Sequence, residues 1–488
     1  MPATGARTIP ELMLECRADM TDLRLLFKHE MIALDPNGFN SDSSSATVVL
    51  KMVCQSLVKF DHDGLLAPDL ALNWTISPDW TRFTFELDPA ARFHSGRRCD
   101  SEAVAACFTN FLHPATNSLL AHDYAGLERI EVLSSSRIAF QFSSPTTSFL
   151  KNLAWRTHIV DDTQRQPVGT GPFRLVRWQR GEGIWLERFD GDRTEHPGNV
   201  TSARIRFAPQ IEERLAVVRR GEADLVESLP GVAAAPLAEQ GLITLHSAPA
   251  QQKATICFNC RAAPFKDPRV RFAFAHAIDR KPLAQTFGGA GSSVVDDLLS
   301  DPDLAPDVES LQFDPERAKW LLTQAGYGAG LTLRAAATNV APVPGLAAAV
   351  AAGLAAIGVS LVPTFYDDPP WWPYTYLKGP WDLAFQSSPG RPHPDTLFSR
   401  ELRSGGPFNA GGYGNPRVDE LMDAARACTD PDQQRGLYVE LQRLVRMDLP
   451  VLVLFSSAVT VGWRDSVTGF APHPMGVVDI STVDVSGH

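Results

Sequence analysis

Cysteine is scarce in this sequence, which has seven among 488 residues. They are scattered along the chain as Cys16, Cys54, Cys99, Cys107, Cys257, Cys260 and Cys428. Such scatter excludes a disulfide scaffold, and the odd number leaves at least one thiol unpaired within the chain. Cys257 and Cys260 have the spacing of a redox or zinc motif, but positions three apart on the predicted strand ATICFNC face opposite sides. We therefore favour buried structural thiols over redox or zinc chemistry.

An excess of positive charge is also missing. Lys and Arg total 45 against 56 Asp and Glu, a formal net charge of −11. No basic run with interleaved aromatic residues occurs, so we expect no nucleic-acid partner. The length and the ordinary 44% hydrophobic content instead predict a globular protein of two or three domains.

Long hydrophobic runs are missing as well. Residues 1–20 contain no apolar core of a secretory leader, so the sequence as written predicts either a cytoplasmic protein or a leader already removed. The longest uncharged stretch, 335–366, is rich in Ala and Gly and is interrupted by Pro342, Pro344 and Pro363. We interpret it as a helix followed by a buried strand rather than a membrane span.

The familiar catalytic and phosphate-binding motifs are absent. The turn Gly169-Thr170-Gly171-Pro172 lacks the Lys of a P-loop, and Pro172 removes a backbone donor. His29-Glu30 is followed by Ala33 where a zinc protease needs its second His, and no G-x-S-x-G elbow occurs. We predict no cofactor, no resident metal and no catalytic residue. A hydrolase stays open as an alternative, because catalytic groups meet in space rather than in sequence.

What the sequence does contain is a series of well-marked elements. Asp267-Pro268 and Asp314-Pro315 each place an N-cap residue before a proline at the first helical position. Asp100 is a further predicted N-cap, and RIEVLSSSRIAFQF reads as a β-hairpin. Helices and strands alternate along the chain, which predicts a mixed α/β protein with several sheets.

Read together, several segments resemble one family, the family 5 (cluster C) extracellular solute-binding proteins of ABC transporters, which includes dipeptide-, oligopeptide- and nickel-binding proteins. The similar stretches occur in the family's order from residue 20 almost to the end. They are ALDPN (33–37), SLVKFDHDGLLAPDLALNW (56–74), TRFTFELDPAARFHSGRRCDSEAV (81–104), VGTGPFRL (168–175), GEADL (221–225), FNCRAAPFKDPRVRFAFAHAIDR (258–280), FDPERAKWLLTQAGY (313–327) and WDLAF (381–385).

The resemblance implies a periplasmic-binding-protein-like fold of type II, with two lobes, an extra inserted domain and a ligand cleft between the lobes. Domain I would comprise 1–45, 169–254 and 463–488, domain II the insertion 46–168, and domain III 255–462. The Gly169–Pro172 turn would then be the return from domain II into domain I, a bend that uses the permissive dihedral angles of glycine.

The resemblance also implies the function. The chain would be the substrate-binding component of an ABC importer, a monomer that captures a short peptide, a metal chelate or an opine-like anionic solute and delivers it to the permease and ATPase subunits. A periplasmic location follows from the same resemblance. The alternative is a hydrolase or a cytoplasmic ligand sensor on the same scaffold.

Departures from the family pattern indicate the ligand. In peptide-binding relatives an aspartate holds the ligand's α-ammonium group, whereas Gly390 stands at that position here, with Arg391 beside it. Asp395 is the alternative anchor if the loop is shifted. Arg156 falls where nickel-chelate-binding relatives carry an arginine that contacts carboxylates. Arg156 and Arg391 together would clamp an anionic group, since guanidinium forks suit carboxylates, with two solvated surface arginines as the alternative.

The remaining candidates are histidines, aromatic residues and one polar loop. His158 and His393 would reach a metal or its chelate, or else be ordinary hydrogen-bonded histidines. Trp371 and Trp372 offer either core packing or a cleft wall. Tyr413 and Asn409 lie in the glycine-rich loop 408–416, where relatives carry ligand-facing residues.

Overall fold

The computed structural model describes residues 21–31, 33–38, 44–164, 166–229, 231–289, 291–299, 301–367, 371–388, 390–391, 393–473 and 476–486. The strands are β1 Asp22–Phe27, β2 Val58–Phe60, β3 Leu66–Pro68, β4 Ala71–Ile76, β5 Arg82–Leu87, β6 Leu127–Ser134, β7 Arg137–Phe142, β8 Phe173–Gln179, β9 Gly183–Arg188, β10 Ser202–Phe207, β11 Leu225–Val226, β12 Thr244–Phe258, β13 Leu331–Thr338, β14 Val359–Tyr366, β15 Leu383–Ser388, β16 Val451–Trp463, β17 Val467–Thr468 and β18 Asp484–Val485.

The α-helices are α1 Ser44–Val53, α2 Ser101–Leu112, α3 Phe149–Arg156, α4 Ile211–Arg219, α5 Gly231–Glu239, α6 Pro268–Ala277, α7 Arg280–Phe287, α8 Pro315–Gln324, α9 Val343–Ala355, α10 Pro394–Glu401, α11 Pro416–Ala427 and α12 Pro431–Asp448. Short 3₁₀ turns and one π-helical turn, Trp371–Tyr376, connect some of them. Within the described residues, none of the helices has both the length and the apolar character needed to cross a membrane.

Helix starts follow the local sequence. The side chain of Asp267 accepts a hydrogen bond from the backbone N–H of Arg269 at the start of α6, and Pro268 occupies the first turn. Asp314 caps α8 in the same way, and Asp100 caps α2. These side chains satisfy backbone donors that have no partner inside the helix. The predicted caps are confirmed.

Three groups of buried side chains define three units. The first unit (residues 21–54, 173–243 and 467–485) has a core formed by α1, β1, the strands β8–β11 and the chain's end. The second unit (57–159) has an aromatic-rich core under the four-stranded sheet β4-β5-β7-β6. The third unit (256–455) packs α6–α9 against β13–β15 and α10–α12 beside them.

The core of the first unit includes Ala46–Cys54, which the sequence analysis placed in the inserted domain. Residues 46–53 belong to α1, which packs beside β1 and β8 because its apolar face completes that core. We accordingly place the start of the inserted unit after Cys54. The division into three domains itself stays a prediction.

One ten-stranded sheet connects the first and third units. Its order is β14-β13-β15-β12-β16-β11-β1-β10-β9-β8. β12 and β16 lie at its centre and pair antiparallel over almost their whole lengths, with a register shift between Pro249 and Lys253. On one side β15 pairs with β12, and on the other β11 pairs with β16. A two-stranded ribbon therefore joins the units.

The prediction that the Gly169–Pro172 turn needs glycine for its dihedral angles is wrong. Neither glycine has the positive φ that would require its conformational freedom. The requirement is space, since a Cβ at Gly169 would lie 2.2 Å from the carbonyl oxygen of Val53. A Cβ at Gly171 would lie 2.6 Å from the carbonyl carbon of Val53. The turn is pressed against the end of α1, and only glycine permits that approach.

Candidate ligand-binding cleft

The second and third units meet at two short helices, α3 of the second unit and α10 of the third. α3 follows Ser148, whose Oγ donates a hydrogen bond to Asp395 Oδ2 at 3.0 Å. One turn further on, Thr396 Oγ1 of α10 donates to Asn152 Oδ1 of α3 at 2.5 Å. All four side chains are buried. The two units are therefore in direct polar contact at the first turns of α3 and α10.

A buried ion pair forms a second contact between these units. Arg400, in the last turn of α10, donates from Nε to Asp123 Oδ1 at 2.7 Å and from Nη2 to Asp123 Oδ2 at 2.5 Å. Its Nη2 also donates to the carbonyl oxygen of Leu119. The side chains are 1% and 8% exposed. Two hydrogen bonds between one guanidinium and one carboxylate fix the relative orientation of the two side chains as well as pairing their charges. We call this pair, with the Ser148–Asp395 and Asn152–Thr396 hydrogen bonds, the interunit bridge.

Arg400 of the interunit bridge belongs to a cluster of three arginines. Arg156 ends α3, Arg391 precedes α10 and Arg400 lies near its end, and all three are at most 5% exposed. Burial and the charges of Arg391 and Arg400 lower the pKa of Arg156 well below its ordinary value. Burial and the charge of Arg400 lower the pKa of Arg391 to about 10, although Glu401 and Asp123 act in the opposite direction. The structure thus brings together the two arginines that the sequence suggested, and adds a third.

Neighbouring groups shape this cluster. Phe408 lies 5.6 Å from the Cζ of Arg391 and 5.1 Å from that of Arg400, within range of cation–π attraction. Glu401 accepts hydrogen bonds from Ser388 Oγ at 3.0 and 2.8 Å. Burial raises the pKa of Glu401, while the nearby arginines oppose that shift.

The carboxylate of Asp395 has hydrogen-bond partners within the protein. Its carboxylate accepts hydrogen bonds from Nε of Arg426 at 3.1 Å as well as from Ser148, and it is 4% exposed. Its role as an alternative ammonium anchor would require a ligand to displace Arg426. The charge of Arg426 compensates Asp395 in the structure as it stands.

The two candidate histidines are both buried. Burial lowers the pKa of His158 well below its ordinary value, and Lys51 and Arg156 add to that shift. His393 caps α10, with its Nδ1 accepting from the backbone N–H of Asp395, and burial lowers its pKa to about 4. Among the described residues, no three His, Cys, Asp or Glu side chains are close enough together to hold a metal ion.

Tyr413 and Asn409 lie together in the loop of the third unit. Tyr413 Oη donates to Asp448 Oδ2 at 2.5 Å, and Asn409 Nδ2 donates to the carbonyl oxygens of Arg403 and Tyr413. Both residues also line a cavity that Glu401 and others border. Their described hydrogen bonds hold the loop, and ligand contact stays a prediction for both.

Trp371 belongs to a column of aromatic rings that are buried or, at Tyr366, partly buried. Its ring lies 5.9 Å from that of Tyr366 and 6.1 Å from that of Tyr376, which in turn stacks on Trp381. Trp371 is 5% exposed, so in this conformation it packs as a core residue. The side chain of Trp372 lies outside the described residues.

Four residues of the site were not predicted from the sequence: Asp123, Arg400, Glu401 and Phe408. Arg400 and Asp123 are 277 positions apart, so no local pattern connects them.

Two α/β units joined by a central ribbon, with an inserted third unit and buried cations where the units meet, define a two-lobed solute-binding protein. The family model described as "Bacterial extracellular solute-binding proteins, family 5 Middle" matches residues 66–409. The chain belongs to this family, as its sequence resemblance predicted. It is thus a solute-binding protein of the kind that serves ABC importers, whose members take peptides or chelates and work with a permease and an ATPase.

Comparisons with individual proteins agree with this assignment. The chain is 24% identical over 477 residues to glutathione-binding protein GsiB of Pectobacterium atrosepticum, covering 93% of this chain and 92% of the relative. Its fold is similar to that of AgaA from A. tumefaciens R10 in complex with agropinic acid, with a TM-score of 0.86, 23% identity, and coverage of 96% and 99%. NikA from Staphylococcus aureus in complex with Ni(L-His)2 gives a TM-score of 0.86 at 18% identity, with coverage of 95% and 100%. These similarities confirm the predicted type II binding-protein fold.

Proposed function

We propose that this protein captures a small solute that carries at least one carboxylate, and presents it to an ABC permease. The observation that carries the proposal is the cluster of Arg156, Arg391 and Arg400, three guanidinium groups buried where the second and third units meet. Like charges buried together repel one another, and an anion placed among them lowers that repulsion.

The chemistry of the cluster favours a carboxylate. We assign Arg156 and Arg391 to the ligand because the family resemblance points to these two positions, and the buried pair of Arg400 with Asp123 holds the third member of the cluster in place. A guanidinium presents paired N–H donors in one plane, which match the two oxygens of a carboxylate. The relatives that bind glutathione and agropinic acid support this assignment, since both solutes are carboxylic acids.

The wider setting of the proposal follows the family. The protein would act in the periplasm as a monomer, without chemical change to the solute. The members of the family are solute-binding transport proteins, which supports a binding role over a hydrolytic one. Binding would shift the protein toward the conformation in which the units are in contact, by as much as the solute prefers that conformation.

Calorimetric titration of purified protein with glutathione and with agropinic acid tests the proposal, together with native mass spectrometry for any solute retained through purification. Arg156→Ala and Arg391→Ala should each weaken binding by at least about 1.5 kcal/mol, because each removes charge-assisted hydrogen bonds. Arg334→Ala is the matched control, since Arg334 pairs with Asp382 on the surface of the third unit. Unchanged affinity in both cluster variants would refute the carboxylate assignment.

A further inference from the structure

Trp155 carries a buried donor that has no acceptor within the part of the chain that the structure describes. It lies in the last turn of α3, directly before Arg156, with its ring partly exposed. Among the residues that the structure describes, its Nε1 atom is buried and makes no hydrogen bond. By contrast, Nε1 of Trp381 donates to the carbonyl oxygens of Thr375 and Tyr376 at 3.2 and 3.1 Å. Trp155 therefore departs from the usual rule that a buried indole N–H finds an acceptor.

The position of this donor suggests what would satisfy it. The Cζ of Arg156 lies 5.5 Å from the centre of the Trp155 ring. The indole is thus next to the arginine that we assign to the ligand. A solute bound to Arg156 would bring oxygen atoms into the same region, and a neighbouring oxygen would accept the indole N–H.

We propose that Trp155 is a specificity-determining residue, whose Nε1–H donates a hydrogen bond to an oxygen of the bound solute near the carboxylate held by Arg156. The inference rests on the proposed function and narrows it. The preferred solutes are carboxylic acids with a second oxygen acceptor close to the acid group, such as a carbonyl, a hydroxyl or another carboxylate. A site with a donor committed to that oxygen discriminates against analogues that lack it, because binding them would leave the N–H unsatisfied.

The first test needs no solute. Trp155→Phe removes the N–H, as does the benzothiophene analogue of tryptophan placed at position 155, which keeps the bicyclic shape. Thermal unfolding of the ligand-free protein should be unchanged or shifted upward for the analogue, because no internal hydrogen bond is lost. The same analogue placed at Trp381 should lower the melting temperature, since that N–H has two acceptors. Equal losses at both positions would overturn the inference.

The second test measures recognition. Glutathione, agropinic acid and any solute retained through purification serve as probes, and those that bind the wild type should bind both Trp155 variants about tenfold more weakly. If Arg156→Ala loses affinity while the Trp155 variants keep it, this inference fails and the proposed function stands. If affinity survives in all variants, both fail. If no probe binds the wild type, the carboxylate assignment lacks support, and the ligand-free comparison alone decides whether the Trp155 N–H has an internal acceptor.

Discussion

The interunit bridge gives a direct prediction about conformational equilibrium. Arg400 and Asp123 are almost fully buried and make two hydrogen bonds, and they belong to different units. Asp123→Asn keeps the size of the side chain and one acceptor oxygen but removes the charge. In a separated conformation both residues would be in water, so the cost of the substitution falls on the conformation in which the units touch.

The magnitude follows from known cases. Removing one partner of a buried ion pair costs about 3–5 kcal/mol when the other charge is left uncompensated. Because Asn retains an acceptor, we expect a cost of about 2–3 kcal/mol to the conformation in which the units touch (the closed form). This cost lowers the ratio of the closed form to the separated, open form roughly 30- to 150-fold. Every solute that binds only the closed form should lose apparent affinity by a common factor, unlike the solute-dependent losses expected for a ligand contact.

Distances between spin labels measure this ratio. Thr109 in the second unit and Lys319 in the third are exposed, and labels on noncanonical residues at these positions avoid the native cysteines. Asp123→Asn should move the distance distribution toward the separated form. Asp382→Asn is the control, because its arginine partner lies in the same unit. A distribution unaffected by Asp123→Asn, or equally affected by the control, would refute the reasoning.

Two stability predictions complete the set. Gly171→Ala should destabilise the protein by about 1–3 kcal/mol, because the new Cβ meets the backbone of Val53, whereas Gly436→Ala in α12 meets nothing and should stabilise it by about 0.5–1 kcal/mol. Melting temperatures that move in the same direction would contradict this. Burial lowers the pKa of His393 from its ordinary value of 6.5 to about 4. As the pH drops from about 6.5 to about 4, the unfolded chain therefore binds a proton at His393 that the folded protein does not bind, and the free energy of unfolding falls. His393→Asn keeps an N-cap acceptor without titrating and should reduce that acid loss by about 1.4 kcal/mol per pKa unit, as measured by denaturant unfolding at pH 7 and 4.5. The same pH dependence of stability in the wild type and in His393→Asn would contradict this prediction.

Features governed by neighbouring residues could be predicted from the sequence. Asp267 and Asp314 cap their helices because the cap and the donor lie within three positions. Arg156 and Arg391 were found through the family resemblance, and their meeting in space needed the folded chain. The pairing of Arg400 with Asp123 carried no sequence signal, since each residue taken alone resembles a surface charge.

The Gly169–Pro172 turn shows why a correct position can have an incorrect reason. Glycines in a turn suggest unusual dihedral angles, but the constraint here comes from α1, more than a hundred residues earlier. Such crowding is invisible in a local pattern. Trp155 is a related case, because the lack of an acceptor for its indole N–H among the described residues can be recognised only from the folded structure.

The irregularity in the central ribbon has a mechanical consequence. Where the register of β12 and β16 shifts between Pro249 and Lys253, the regular ladder is interrupted, and such an irregularity bends the strand. Bending at this one short stretch would let the first and third units move as rigid bodies without deforming their own cores. A small change of angle at this stretch would become a larger movement at the outer ends of the two units, where a transport partner would detect whether solute is bound.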